Sequence, residues 1–149
     1  MAAITPISVP AIRRYGRGDQ LHVTAQRVWT ILVALAQAAR LPDVTVKRQP
    51  RNAPTITYGE LADLVGRGFR AGRTLSRELM IIGEYCRQNG LPCLNAMVTY
   101  KDGDCGDGVV LSAADARSER RAIAAVDWFE YGVPSAGTLR KQYSLARRR

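Results

Sequence analysis

Thr57-Tyr58-Gly59-Glu60-Leu61-Ala62-Asp63-Leu64-Val65-Gly66 decides how the rest of this chain is read. Thr57 and Glu60 stand at the spacing of a capping box: the threonine hydroxyl accepts from the third helical amide, and the glutamate reaches back to the cap amide. A short helix is predicted to begin here, with Leu61, Leu64 and Val65 on its apolar side. Gly66 is its expected stop, because glycine enters the left-handed conformation of a helix end without penalty.

Working downstream, a glycine- and arginine-rich turn runs from Arg67 to Gly72. After it, Leu75, Leu79, Ile82 and Cys86 recur at helical spacing and define one face of a longer helix ending near Asn89-Gly90. Arg73, Arg77 and Arg87 fall on its other face. Leu91-Pro92 breaks that helix; Leu94 to Tyr100 reads as a strand, Lys101 to Gly108 as a turn and Val109 to Leu111 as a returning strand. Upstream, Val28, Ile31, Leu32, Leu35 and Ala39 give a core helix from Thr24 to about Arg40. Leu41-Pro42 closes it, and Val44 and Val46 suggest a short strand before a polar loop from Gln49 to Pro54. Helix, helix, helix, hairpin is the order of a winged helix-turn-helix core with a β-hairpin wing, an α+β fold that is mainly α.

The ends of the chain read differently. Residues 1–20 hold Pro6, Pro10, Arg13, Arg14 and Arg17, the composition of a flexible basic arm able to follow a phosphate backbone. Residues 21–131 form the expected single winged-helix-like domain. Within it, Ser112-Ala113-Ala114-Asp115 caps an extra C-terminal helix to about Val126, and Trp128, Phe129 and Tyr131 pack back on the core. Residues 132–149 read as a basic tail ending in Arg147, Arg148 and Arg149.

Composition narrows the class. With 149 residues, 46% hydrophobic and 23% charged, the chain suits one globular core. Lys and Arg outnumber acids 22 to 13, a formal charge of +9 that attracts polyanions and makes nucleic acid the first partner to test. Cys86, Cys93 and Cys105 are separated by six and eleven residues, which fits neither a disulfide framework nor a zinc site and suggests reduced thiols in the cytoplasm. Met1 to Gln20 lacks the apolar stretch of a secretory signal, and Val28 to Ala39 is too short to cross a bilayer, so no membrane partner is expected. Arg17-Gly18-Asp19 spells an integrin-binding tripeptide, but nothing else here is extracellular.

Three stretches carry a family likeness: Thr57-Tyr58-Gly59-Glu60-Leu61-Ala62, Ala71-Gly72-Arg73-Thr74-Leu75 and Asn89-Gly90-Leu91-Pro92-Cys93. Together they resemble the DNA-binding half of alkylguanine-DNA alkyltransferases and of the catalytically inactive alkyltransferase-like proteins, over about Val28 to Val110. The resemblance implies a recognition helix in the minor groove, with Arg73 as the arginine that replaces an extruded base and Tyr58 as the tyrosine at the rotating phosphate. The family's acceptor motif is Pro-Cys-His-Arg. Here Pro92-Cys93-Leu94-Asn95 lacks both the histidine and the arginine, so no base is at hand to make the Cys93 thiolate that alkyl transfer needs. The interval from Arg73 to Pro92 is also longer than the family's, which implies a lengthened recognition helix.

The expected function is therefore non-enzymatic nucleic-acid binding, DNA favoured, through Tyr58, Arg67, Arg70, Arg73, Arg77 and Lys101, with no catalytic set, no metal and no cofactor. Two rivals remain open. One is a phage or mobile-element inhibitor that binds a host or partner protein through its basic face. The other is a metal-dependent nuclease or toxin-like enzyme built on Asp102, Asp104 and Asp107, whose spacing misses that of a calcium loop and fits a solvated hairpin turn. His22, the single histidine, has no acid at a suggestive spacing and reads as helix-entry packing.

Overall fold

A computed structural model describes residues 20–38, 40, 54–101 and 113–146. Among them the chain is mainly helical, with one small two-stranded sheet. Helix α1 spans Gln20–Ala38, β1 Ile56–Thr57, α2 Tyr58–Leu64, α3 Ser76–Gln88, β2 Val98–Thr99, α4 Ala113–Ala125 and α5 Ala136–Ala146. Three 3₁₀ turns, Phe69–Leu75, Leu94–Met97 and Trp128–Glu130, join them.

Helix α1 begins earlier than its periodicity predicts and buries Ala25, Val28, Trp29, Leu32 and Ala36 as one stripe. Ile31 and Leu35 lie at the stripe's edge, half-buried. The indole of Trp29 meets Tyr85 at 5.1 Å and Trp128 at 5.8 Å, both edge to face, a geometry that adds about 0.5–1.5 kcal/mol per pair beyond burial. Gln37 ties down the far end of α1: its Nε2 donates to Asp127 Oδ1 at 2.7 Å, while its Oε1 accepts from the Trp128 amide at 3.0 Å.

The capping box forms as read. The Glu60 amide donates to Thr57 Oγ1 at 3.2 Å and the Thr57 amide to Glu60 Oε2 at 3.4 Å. Gly66 takes φ +85° just past the helix. Leu64, expected inside, is 63% exposed. Tyr58, Leu61, Ala62 and Val65 repeat at three and four and form the inward stripe, and Leu64 falls off it. Leu75, Leu79, Ile82 and Cys86 are fully buried, as the periodicity of α3 predicts. The helix proper starts only at Ser76, because the residues before it wind as a 3₁₀ turn.

The strand expected over Leu94 to Tyr100 is reduced to Val98 and Thr99. Its first half is a 3₁₀ turn, the Ala96 amide donating to the Cys93 carbonyl at 2.9 Å. All of Leu94 to Met97 is buried, which a strand's strict alternation between two faces would not achieve beside one core. The partner of β2 among the described residues is β1, which pairs with it in parallel with Ile56 opposite Val98 and Thr57 opposite Thr99. The expected returning strand Val109 to Leu111, the acidic turn with Asp102, Asp104 and Asp107, the short strand at Val44 and Val46, and the N-terminal arm through Asp19 all lie outside the described residues.

Two C-terminal expectations change. Trp128 is buried and donates its Nε1–H to the Ile123 carbonyl at 3.0 Å, but Phe129 is 72% and Tyr131 48% exposed. Asp127 caps that turn by accepting from the Phe129 amide, which directs the tryptophan inward and its neighbours out. The segment read as a basic tail carries α5, which packs on α1 and α3 with Leu139 fully buried against Ala25 and Ile81. Its solvent side shows Arg140 and Lys141, the two charged residues of the helix.

Candidate nucleic-acid interface

The parallel strand pair fixes the site. Tyr58 directly follows β1 and Tyr100 directly follows β2, so the register places the two rings face to face, 5.1 Å apart and 30° from parallel. Tyr58 is buried in that stack. The turn Phe69–Leu75 closes on the first turn of α2, and the approach is too tight for a side chain. A Cβ on Gly72 would stand 2.8 Å from the Tyr58 carbonyl carbon and 3.0 Å from the Gly59 nitrogen.

Between α2, that turn and the end of β2 lies an open cleft of about 240 Å³. Thr57, Tyr58, Gly59, Phe69, Arg70, Gly72, Arg73, Tyr100 and Lys101 line it. This is below the ~300–1,000 Å³ of sites that enclose a whole small molecule, and its openness to solvent suits a phosphate or one nucleotide unit. Phe69 lies across Gly59, where an added Cβ would meet its ring at 2.6 Å, yet the side chain stays 51% exposed. Lys101 Nζ sits 5.8 Å from the ring centroid, within reach of a cation–π attraction. Arg70, Arg73 and Lys101 are exposed, and no carboxylate among the described residues pairs with them.

Of the residues singled out from sequence, Tyr58, Arg70, Arg73 and Lys101 come together on this cleft. Arg77 is exposed farther along α3 and does not line it. Arg67 turns inward instead: its Nη2 donates to Glu78 Oε1 at 2.6 Å and its Nη1 to the Thr74 carbonyl at 3.2 Å. The sequence reading missed Phe69, Tyr100, Gly59 and Gly72. One sign of Phe69 was present: an aromatic between Gly68 and Arg70, inside a polar turn and off every apolar stripe, has no core position to fill.

Cys93 lies elsewhere, half-buried where the chain leaves α3. Its amide donates to Glu119 Oε2 of α4 at 2.7 Å. Burial, and next the Glu119 carboxylate, push its thiol above the ordinary range, while Arg87 opposes them. Cys86 is pushed up to about 12, mainly by burial. Both shifts run opposite to what a thiolate nucleophile needs. His22 meets Tyr143 edge to face at 6.3 Å. Among the described residues no cluster of His, Cys, Asp and Glu could hold a metal ion, and no helix is long and apolar enough to cross a membrane.

No family model, curated protein or solved structure matches the chain.

Proposed function

We propose that this is a non-enzymatic nucleic-acid-binding protein, DNA favoured, that acts in the cytoplasm and uses α2, the 3₁₀ turn and α3 in the manner of a winged helix-turn-helix related to the alkyltransferase-like proteins. One observation carries the reading: three cations with no acidic partner among the described residues, Arg70, Arg73 and Lys101, line one open cleft together with a half-exposed phenyl ring. Cations hold phosphates irrespective of sequence, and an exposed ring offers a base a platform to stack on. Arg77 extends the basic face along α3, and the net charge of +9 draws the polyanion in.

Anisotropy titrations of a labelled DNA duplex, its single strand and the matching RNA test this. If the three cations each neutralise one phosphate, affinity for duplex falls by about 40-fold between roughly 50 and 200 mM salt, a log–log slope near −2.7. Arg70→Gln, Arg73→Gln and Lys101→Gln each reduce the magnitude of that slope by about 0.9. Absence of salt-dependent binding to all three probes at micromolar protein overturns the reading.

A second reading, docking on a partner protein, has its own observation. Leu64 and Val133, 63% and 60% exposed, flank a shallow groove with Ile31 and Val65 between α1 and the end of α2. A complex that survives nuclease treatment and is lost in Leu64→Glu, with nucleic-acid binding absent, would favour it over the first.

A further inference from the structure

Arg67 stands at the root of the turn that carries the cleft's cations, yet little of it faces solvent; its side chain is 29% exposed. It bonds to three parts of the fold at once. Nη2 donates to Glu78 Oε1 on α3 at 2.6 Å and to Thr24 Oγ1 on α1 at 3.4 Å. Nη1 donates to both the carbonyl and the hydroxyl oxygen of Thr74, each at 3.2 Å, and the Thr74 hydroxyl donates onward to the Ala71 carbonyl at 2.6 Å. A continuous chain of polar contacts thus runs from Glu78 through Arg67 and Thr74 to Ala71, beneath the turn whose exposed side bears Phe69, Arg70 and Arg73.

Backbone hydrogen bonds hold part of that turn, the Arg67 amide donating to the Ala62 carbonyl at 2.9 Å and the Ala71 amide to the Gly68 carbonyl at 3.0 Å, and the Arg67 side chain adds a tie beneath it. Arg67 is flanked by Gly66 and Gly68, both near φ +85°, so the peptide planes on either side have the freedom that glycine confers. Glu78 is 1% exposed, and a carboxylate so buried persists only against a cation with good geometry. The planar fork of a guanidinium bridges several acceptors simultaneously, which a lysine ammonium on a flexible stem does not. Each partner therefore requires the other, and the fork passes that requirement on to Thr74.

We propose that Arg67 and Glu78 form an internal clamp that sets the positions of Arg70 and Arg73, and so governs affinity for nucleic acid without touching it. Arg67 is then a positioning residue rather than a phosphate contact. The inference rests on the function proposed above for the cleft, but its structural half is measurable with no nucleic acid present.

The experiment compares wild type, Arg67→Lys, Arg121→Lys and the double variant R67M/E78M, the last removing both charges so that no buried ion is left unpaired. Binding of the labelled duplex is followed across salt, and amide exchange of Phe69–Leu75 in the free protein. The clamp predicts about tenfold weaker binding in Arg67→Lys and in the double variant, from the added cost of ordering the turn, with the salt slope unchanged. It also predicts faster exchange over Phe69–Leu75, with α1 and α4 as protected as in wild type. Arg121→Lys, an exposed cation on α4 away from the cleft, retains both affinity and protection. A slope reduced by about one in R67M/E78M would make Arg67 a phosphate contact and overturn the proposal. Unchanged exchange over Phe69–Leu75 in both variants overturns it as well. If wild type binds none of the probes, the function assigned to the cleft fails, and exchange alone then decides whether the clamp exists.

Discussion

Removing the Phe69 ring separates what the cleft contributes to binding from what it contributes to folding. The side chain is 51% exposed, so Phe69→Ala gives up about half the burial value of a phenylalanine, roughly 1 kcal/mol of stability at ~25 cal/mol per Å². Phe69 belongs to neither core cluster, and its ring lies over Gly59. Binding should suffer more. A base stacked on an aromatic side chain contributes about 1–3 kcal/mol, so single-strand affinity is expected to fall about 5- to 150-fold. The salt slope should not move, since no charge has been removed. Anisotropy titration at two salt concentrations, beside a urea melt of the same preparation, reads both quantities. Phe69→Trp, with a larger ring, should retain binding. The reasoning is refuted if Phe69→Ala binds every probe within about twofold of wild type. A change in slope would instead make the ring a rest for Lys101, which sits 5.8 Å from its centroid.

Three further outcomes are expected. Gly72→Ala forces α2 and the 3₁₀ turn apart, because the new methyl meets backbone atoms at 2.8 and 3.0 Å that cannot rotate away; a loss of about 1–3 kcal/mol should appear as a lower urea midpoint. Cys86, whose pKa is raised from 9.0 to about 12 by burial, should resist iodoacetamide in the native protein; since its folded value exceeds its unfolded one, stability should decline as pH rises from about 9 toward 12, and Cys86→Ser should flatten that decline. Burial raises the pKa of Glu84, but hydrogen bonds from Gln88 and Arg87 and the Arg87 charge outweigh it and hold the carboxyl below its ordinary 4.5; the stability it adds is present above that value and is lost as pH falls below it, so Glu84→Gln should make acid unfolding less steep.

What could be read in advance followed the range of the interactions involved. The capping box at Thr57 and the stripe Leu75, Leu79, Ile82, Cys86 are local, and both stand in the structure as the spacing dictates. Helix α5 escaped because a single residue, Leu139, is fully buried in it, and with only Tyr143 beside it on that side the apolar stripe is too short to stand out from a basic segment. The 3₁₀ turn over Leu94–Met97 was hidden by a different ambiguity: a short apolar run states burial on all sides without stating which backbone achieves it. At the site, Arg70 and Arg73 were legible as exposed cations near a helix start, and Lys101 as one in the turn that follows a strand. That Arg67, in the same turn, faces inward depends on Glu78 and Thr24, eleven and forty-three residues away, and no local pattern announces it.

The two-residue strand pair has a thermodynamic meaning out of proportion to its size. It joins Thr57 to Thr99 and thereby assembles a cleft from three segments, 57–59, 69–73 and 100–101, that are strangers in the unfolded chain. No stretch shorter than residues 57–101 contains all three, so a ligand that needs them together recognises the folded arrangement and not the extended chain. Occupancy and folding are consequently one linked equilibrium: a ligand at about a hundred times its dissociation constant should stabilise the fold by roughly 2.7 kcal/mol. A rise in melting temperature on titration with an oligonucleotide would register that linkage directly, with no label on either molecule.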